Sequence, residues 1–293
     1  MSNTRISDDH PLLAIVMVLG AMLVFVSTDA IAKHLSVNLS AQQIVWTRYT
    51  VISLLIAPLI VRSPKTLRTN HHVLHILRGL SLLGASLLFV LALETLPLEI
   101  CTAIGFVAPL YVTALSIPFL GEKVGTRRWA AVAVGFVGVM VIVRPGSTSF
   151  HWAMLFPLAS SLCWACALVI TRLMRGTERP LLVLFYSSVV GCVASAPLAL
   201  PLWQPPTSLE WLLLISLGAM NAIGQYLIIR AFMLGSASML APFSYSSIVW
   251  ATLIGALFFE SLPDRASVAG TLLLIAAGLY VWHRERVRAG VVN

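Results

Sequence analysis

The sequence predicts an all-α integral membrane protein of ten transmembrane helices arranged as two inverted five-helix repeats. Three observations predict it. The chain is 59% hydrophobic and only 10% charged over 293 residues, with a mean hydropathy of +0.93, whereas soluble domains carry about 25% charged residues. Apolar runs recur at the ~20-residue length that a bilayer helix needs, as at Ile100 to Gly121, Pro180 to Pro201 and Trp211 to Ile229. The pattern of residues also repeats itself after about 139 positions.

Ten spans fall at approximately 12–32, 42–61, 74–94, 98–119, 128–144, 151–172, 180–200, 210–230, 236–258 and 266–283. The stretches 79–93 and 129–143 are the shortest without charge and are expected to borrow flanking polar residues at the headgroups. Nothing remains for a soluble domain, since the longest connection, Arg62 to about Val73, is basic and short. The N-terminal MSNTRISDDHP lacks a signal-peptide cleavage pattern, so the first span is expected to stay in the mature protein.

Charge sets the orientation. Of the 19 Lys and Arg residues, 15 fall on the side holding both termini, three (Lys33, Arg144 and Arg265) fall on the other, and Arg48 lies inside the second span. Short loops with this bias place both termini in the cytoplasm. The same bias explains the net charge of +8 without nucleic acid.

The repeat is legible residue by residue. Trp46 to Pro58 lies over Phe185 to Pro197 at an offset of 139, Leu19 to Leu35 over Leu158 to Met174 at the same offset, and Leu96 to Glu122 over Leu234 to Glu260 at 138. The matched prolines 58 and 197 and glutamates 122 and 260 anchor the register. Two units follow, 12–144 and 151–283. With five crossings in each, the second enters the bilayer upside down relative to the first, an architecture of secondary transporters.

The segments Leu110 to Val139 and Leu253 to Leu279 each run through a small-residue helix, a glutamate, a short turn and a final helix with Gly138 or Gly278. In this the chain resembles the drug/metabolite transporter superfamily, specifically its ten-helix exporters with two EamA-type domains, and most of all bacterial exporters of aromatic amino acids and related metabolites. The resemblance implies a cavity ringed by spans one, three, four, six, eight and nine, with five and ten outside it. It implies structural roles for Glu122 and Glu260, which close turns near helix N-termini where a carboxylate is favoured. It also implies location in the bacterial cytoplasmic (inner) membrane.

Few polar atoms are available to a central ligand. Asn221, Gln225 and Tyr226 lie in span eight, Ser244 and Tyr245 in span nine, Trp164 in span six and Tyr111 in span four. Asn221 and Gln225 are four apart and share a helical face, with donors and acceptors for a zwitterion or amide. Phe89, Phe106, Trp164, Tyr245 and Trp250 are the expected aromatic lining. Gly105, Pro109, Pro157 and Pro242 read as hinges or kinks, because a proline removes a backbone donor within hydrocarbon. Asp29 and Arg48 are the charges well within spans and should face protein or water, as a structural pair or gate.

Several signals point away from chemistry. The CWAC at 163–166 lies inside a span and reads as small interior residues. His71, His72 and His75 sit in a basic stretch without paired carboxylates, so no metal is expected. No phosphate-binding G-x-x-x-x-G-K-[ST] occurs, so ATP is not the energy source on this chain, and no catalytic group or cofactor is expected. The expected function is export of small organic metabolites, amino acids including aromatic ones among them, by a chain acting as a monomer with lipid and solute as its partners. A nucleotide-sugar or other metabolite carrier is the alternative, though nucleotide-sugar carriage would want a central Lys or Arg, and a scaffold that transports nothing is a further one.

Overall fold

The computed structural model describes residues 11–61, 69, 71–120, 126–144, 150–174, 177–234, 240 and 243–291. Its α-helices are α1 (Pro11–Leu35), α2 (Ala41–Val61), α3 (His72–Leu93), α4 (Leu98–Gly105), α5 (Ala108–Leu120), α6 (Thr126–Val143), α7 (Leu155–Leu173), α8 (Pro180–Ala199), α9 (Ser208–Leu234), α10 (Ser246–Phe259) and α11 (Arg265–Val291). Seven helical stretches are long and apolar enough to cross a membrane, one of them formed by α4 and α5 together. Shorter apolar helices at Ala133–Val143, Ser246–Phe259 and Arg265–Ala277 complete the ten. Exposed Leu54, Leu55, Leu212, Leu257 and Phe258 cover the outside, as lipid rather than water requires.

Local chemistry sets the helix ends. Thr207 and Glu210 form a capping box ahead of α9: the Glu210 carboxylate accepts from the Thr207 amide at 2.8 Å, and the Thr207 hydroxyl accepts from the Glu210 amide at 3.3 Å. Asp264 starts α11 by accepting from the Ser267 amide at 3.0 Å and also pairs with Arg144. Hydrogen bonding from Ser267 and the Arg144 guanidinium holds the Asp264 carboxyl down at about 2. Glu260 ends α10 in the left-handed conformation at φ 51° and is exposed. Glu122 lies outside the described residues.

Spans four and nine are broken. The fourth is interrupted at Phe106 and Val107, and Pro109 is the second residue of α5, where a missing N–H leaves no intrahelical bond unmade. The ninth is interrupted at Tyr245, just before α10. Val107 and Tyr245 are 138 apart, the offset read from the sequence for these spans. Pro242 lies outside the described residues, and Pro157 is buried in the first turn of α7.

The packing exchanges under that offset. α1 packs on α9 as α7 packs on α3; α2 packs on α9 as α8 packs on α3; α1 meets α10 as α7 meets α4 and α5. The remaining major contacts, α2 with α8, α6 with α11 and α4 with α10, join equivalent helices. Glycines repeat the pattern atom for atom. A Cβ on Gly79 would lie 2.6 Å from Val190 Cβ and 3.3 Å from Ser187 O, while one on Gly218 would lie 2.6 Å from Val51 Cβ and 3.3 Å from Arg48 O. All three residues of each set are related by 139 positions. Small residues let helices approach closely where lipid supplies no hydrophobic drive. This all-α, ten-helix membrane protein is thus built in a way consistent with two inverted five-helix repeats.

Candidate functional site

Between the repeats lies a cavity of about 250 Å³. Its walls come from equivalent positions of the two halves: Phe25 and Trp164, Arg48 and Ser187, Tyr49 and Ser188, Leu82 and Asn221, Ser86 and Gln225, each pair 139 residues apart. Gly105 adds the end of α4, and Phe89, Ser160 and Ser161 complete much of the remainder. The shape is therefore nearly two-fold while the chemistry is not. One half supplies an arginine and a leucine where the other supplies a serine and an asparagine.

The sequence-predicted residues divide. Phe89, Gly105, Trp164, Asn221, Gln225, Asp29 and Arg48 come together on the cavity wall. Phe106 and Tyr245 stack on each other at the two span breaks, with centroids 4.8 Å apart and planes at 26°. Tyr111 and Trp250 pack half-buried against the main core, and the Trp250 indole Nε1 has no hydrogen-bond partner among the described residues. Ser244 is half-buried, its carbonyl accepting from the Ser247 hydroxyl. Tyr226 is 51% exposed, away from the cavity.

The described lining differs in two respects from the ring of spans that the resemblance implies. α2 and α8, the second and seventh spans, line the cavity, through Arg48, Tyr49 and Ile52 and through Leu184, Ser187 and Ser188. The ninth span contributes no lining residue among those described. The tight antiparallel packing of α2 on α8 brings them in: the glycine at 191 leaves room for the Tyr49 ring, whose Cδ1 would be 2.7 Å from a Cβ there. The helices of spans five and ten, α6 and α11, do stand outside, packed on each other at Gly138 and Gly270.

Arg48 is the central charged group. It is 6% exposed and donates through Nη1 to the Ser86 hydroxyl at 2.8 Å. Its Nη2 stands 3.8 Å from the Asp29 carboxylate. The Nε and Nη2 groups have no hydrogen-bond partner among the described residues. By contrast the serines are occupied: Ser160 donates to Ala85 O at 2.7 Å, Ser188 to Phe185 O at 2.9 Å and Ser187 to Val183 O at 2.7 Å.

Polar groups close the helices together above and below. Arg78, buried in α3, donates to Thr171 Oγ1 at 2.7 Å, Ser187 Oγ at 2.5 Å and Val183 O at 3.5 Å, joining α3 to α7 and α8. Beside it His75 stacks on Tyr186 at 4.7 Å and lies 3.8 Å from Glu178, which accepts from Thr69. At the other end Lys33 donates to Leu96 O at 2.5 Å and stands over the Phe259 ring, and the buried Glu99 carboxylate accepts from Ser261 at 3.2 Å. Asp29 and Arg48 are therefore not the only charges within helices. Arg78 belongs to the helix interior rather than to a loop, and Glu99 and His75 are equally buried.

The model of the EamA-like transporter family matches residues 12–144 and again 151–282. The chain belongs to that family. Being an EamA-like transporter, it moves solutes across a membrane and is not an enzyme. Its similarity extends to an S-adenosylmethionine uptake transporter of Rickettsia bellii, 30% identical over 261 residues that cover 89% of this chain and 90% of the relative. A riboflavin transporter of Vibrio cholerae is 28% identical over 287 residues, 95% and 96% of the two chains. A pseudopaline exporter of Pseudomonas aeruginosa is 29% identical over 264 residues, 88% and 91% of the two. A solved structure described as a crystal structure of protein matches the fold of this EamA-like chain with a TM-score of 0.64 at 21% identity, covering 92% of this chain and 96% of the other.

Proposed function

We propose that this protein is a secondary transporter of the bacterial inner membrane, both termini cytoplasmic, which carries small organic metabolites through the cavity between its repeats by alternating access. The observation that carries the reading is the wall itself. Arg48 and Asp29 offer charge, Asn221 and Gln225 offer amide donors and acceptors, and Phe25, Phe89 and Trp164 offer ring faces. A solute with one polar or charged end and one aromatic ring system suits this set.

Amino-acid export gives way here to the broader alternative of a metabolite carrier. Relatives of similar length carry S-adenosylmethionine, riboflavin and pseudopaline by name, some inward and some outward. Nucleotide-sugar carriage was weakened in the sequence by the lack of a central cation, and Arg48 lines the cavity. Isotope flux in proteoliposomes against labelled S-adenosylmethionine, riboflavin, phenylalanine and a nucleotide sugar tests the reading. Saturable, protein-dependent movement of at least one of them supports it; no movement of any contradicts it.

A further inference from the structure

We propose that Arg48 and Asp29 together receive the zwitterionic head of an α-amino-acid-like solute, Arg48 taking its carboxylate and Asp29 its ammonium group. This rests on the cavity being the transport site and narrows what enters it.

The geometry of the pair is that of a site rather than of a completed ion pair. A hydrogen-bonded guanidinium–carboxylate contact closes to about 2.7–2.9 Å, whereas Arg48 Nη2 stands 3.8 Å from Asp29 Oδ1. Arg48 is anchored elsewhere, by its Nη1 bond to Ser86. Its Nε and Nη2 form one edge of the guanidinium, the edge that takes two carboxylate oxygens side by side, and both are buried without a partner among the described residues. A buried donor left unmade is costly, and a ligand carboxylate would satisfy two at once. Asp29, on the wall beside it, retains acceptor capacity for a cation.

The charge balance selects the ligand class. Arg48 and Asp29 are the charged residues on the cavity wall, so the wall is close to neutral overall. A phosphate or diphosphate would bring two or more negative charges against the Asp29 carboxylate, which disfavours nucleotide sugars. A head with one positive and one negative charge matches in both. The rings of Phe25 and Trp164, together with the amides of Asn221 and Gln225, are then left for the rest of the solute, an aromatic or heteroaromatic group.

Counterflow and competition in proteoliposomes test this with S-adenosylmethionine and phenylalanine as labelled probes. The competitors are phenethylamine, which lacks the carboxylate, and 3-phenylpropionate, which lacks the ammonium. Wild-type protein should prefer the complete amino acids over these by about tenfold to a hundredfold, the range that hydrogen bonds to charged groups produce. Arg48→Gln should abolish the preference over phenethylamine, Asp29→Asn the preference over 3-phenylpropionate, and Arg48→Lys should recover part of the former. A merely structural pair would lower all fluxes alike and leave the preferences intact, which would overturn the assignment. Wild-type flux of riboflavin with none of either amino-acid probe would overturn it too while leaving the transport reading standing. No flux of any probe would overturn both.

Discussion

Phe106 and Tyr245 stack face to face, 4.8 Å between centroids, and each sits where its own span is interrupted. The two broken helices of the two repeats therefore meet at their breaks. Under the alternating access proposed above, rocking of one repeat against the other would slide or part this stack. Aromatic pairs contribute ~0.5–1.5 kcal/mol beyond area burial. A double-mutant cycle of Phe106→Ala and Tyr245→Ala, read by thermal unfolding in detergent, should return a coupling of that size. Strict additivity would show that the rings do not hold the breaks together.

The glycine contacts give a sharper test of the repeat. Gly79→Ala and Gly218→Ala each push a methyl against a valine Cβ in a neighbouring helix, and overpacking of this kind costs about 1–3 kcal/mol. The two losses should be similar, because the two sites are equivalent. Gly105→Ala meets nothing within 4 Å, so its effect on unfolding should stay within about 0.5 kcal/mol. Equal tolerance at all three positions would contradict the packing described.

Arg78 depends on its serine. Ser187→Ala removes its 2.5 Å acceptor and leaves Val183 O at 3.5 Å and the Nε bond to Thr171. A buried charged donor left short of partners costs about 1–3 kcal/mol, read as a lower unfolding temperature in Ser187→Ala. An unchanged unfolding temperature would mean that water or lipid headgroups already serve this arginine.

Topology is open to direct labelling. In a cysteine-free background, a cysteine at Arg284 should react with an impermeant thiol reagent only from the cytoplasmic face, and one at Pro205 only from outside. Reaction of both from one face would contradict the cytoplasmic placement of the C-terminus, the odd number of crossings per repeat, or both.

Helix number and the repeat were legible because run length and residue order are properties of the chain itself. Side-chain direction was harder to read. The spans are apolar nearly all round, so a polar stripe does not reveal which face turns inward; Tyr226 and Gln225 are neighbours, yet one lies outside and the other on the cavity wall. The repeat register held the missing signal. Shifting Trp164, Gln225 and Asn221 back by 139 positions points to Phe25, Ser86 and Leu82, all three of them lining residues. Arg48 was visible as a charge within a span, but not its approach to the cavity wall, which depends on how closely α2 and α8 pack, with Gly191 against the Tyr49 ring.

The most direct test of the cavity as the transport site is counterflow of labelled S-adenosylmethionine, riboflavin and phenylalanine by wild-type protein and by the double variant Asn221→Ala/Gln225→Ala, at matched amounts of reconstituted protein. Those amides line the cavity, so the variant should fold normally and lose about tenfold in flux of whichever solute the wild type carries. Wild-type rates in the double variant, for every solute that moves, would contradict the placement of the substrate between the repeats.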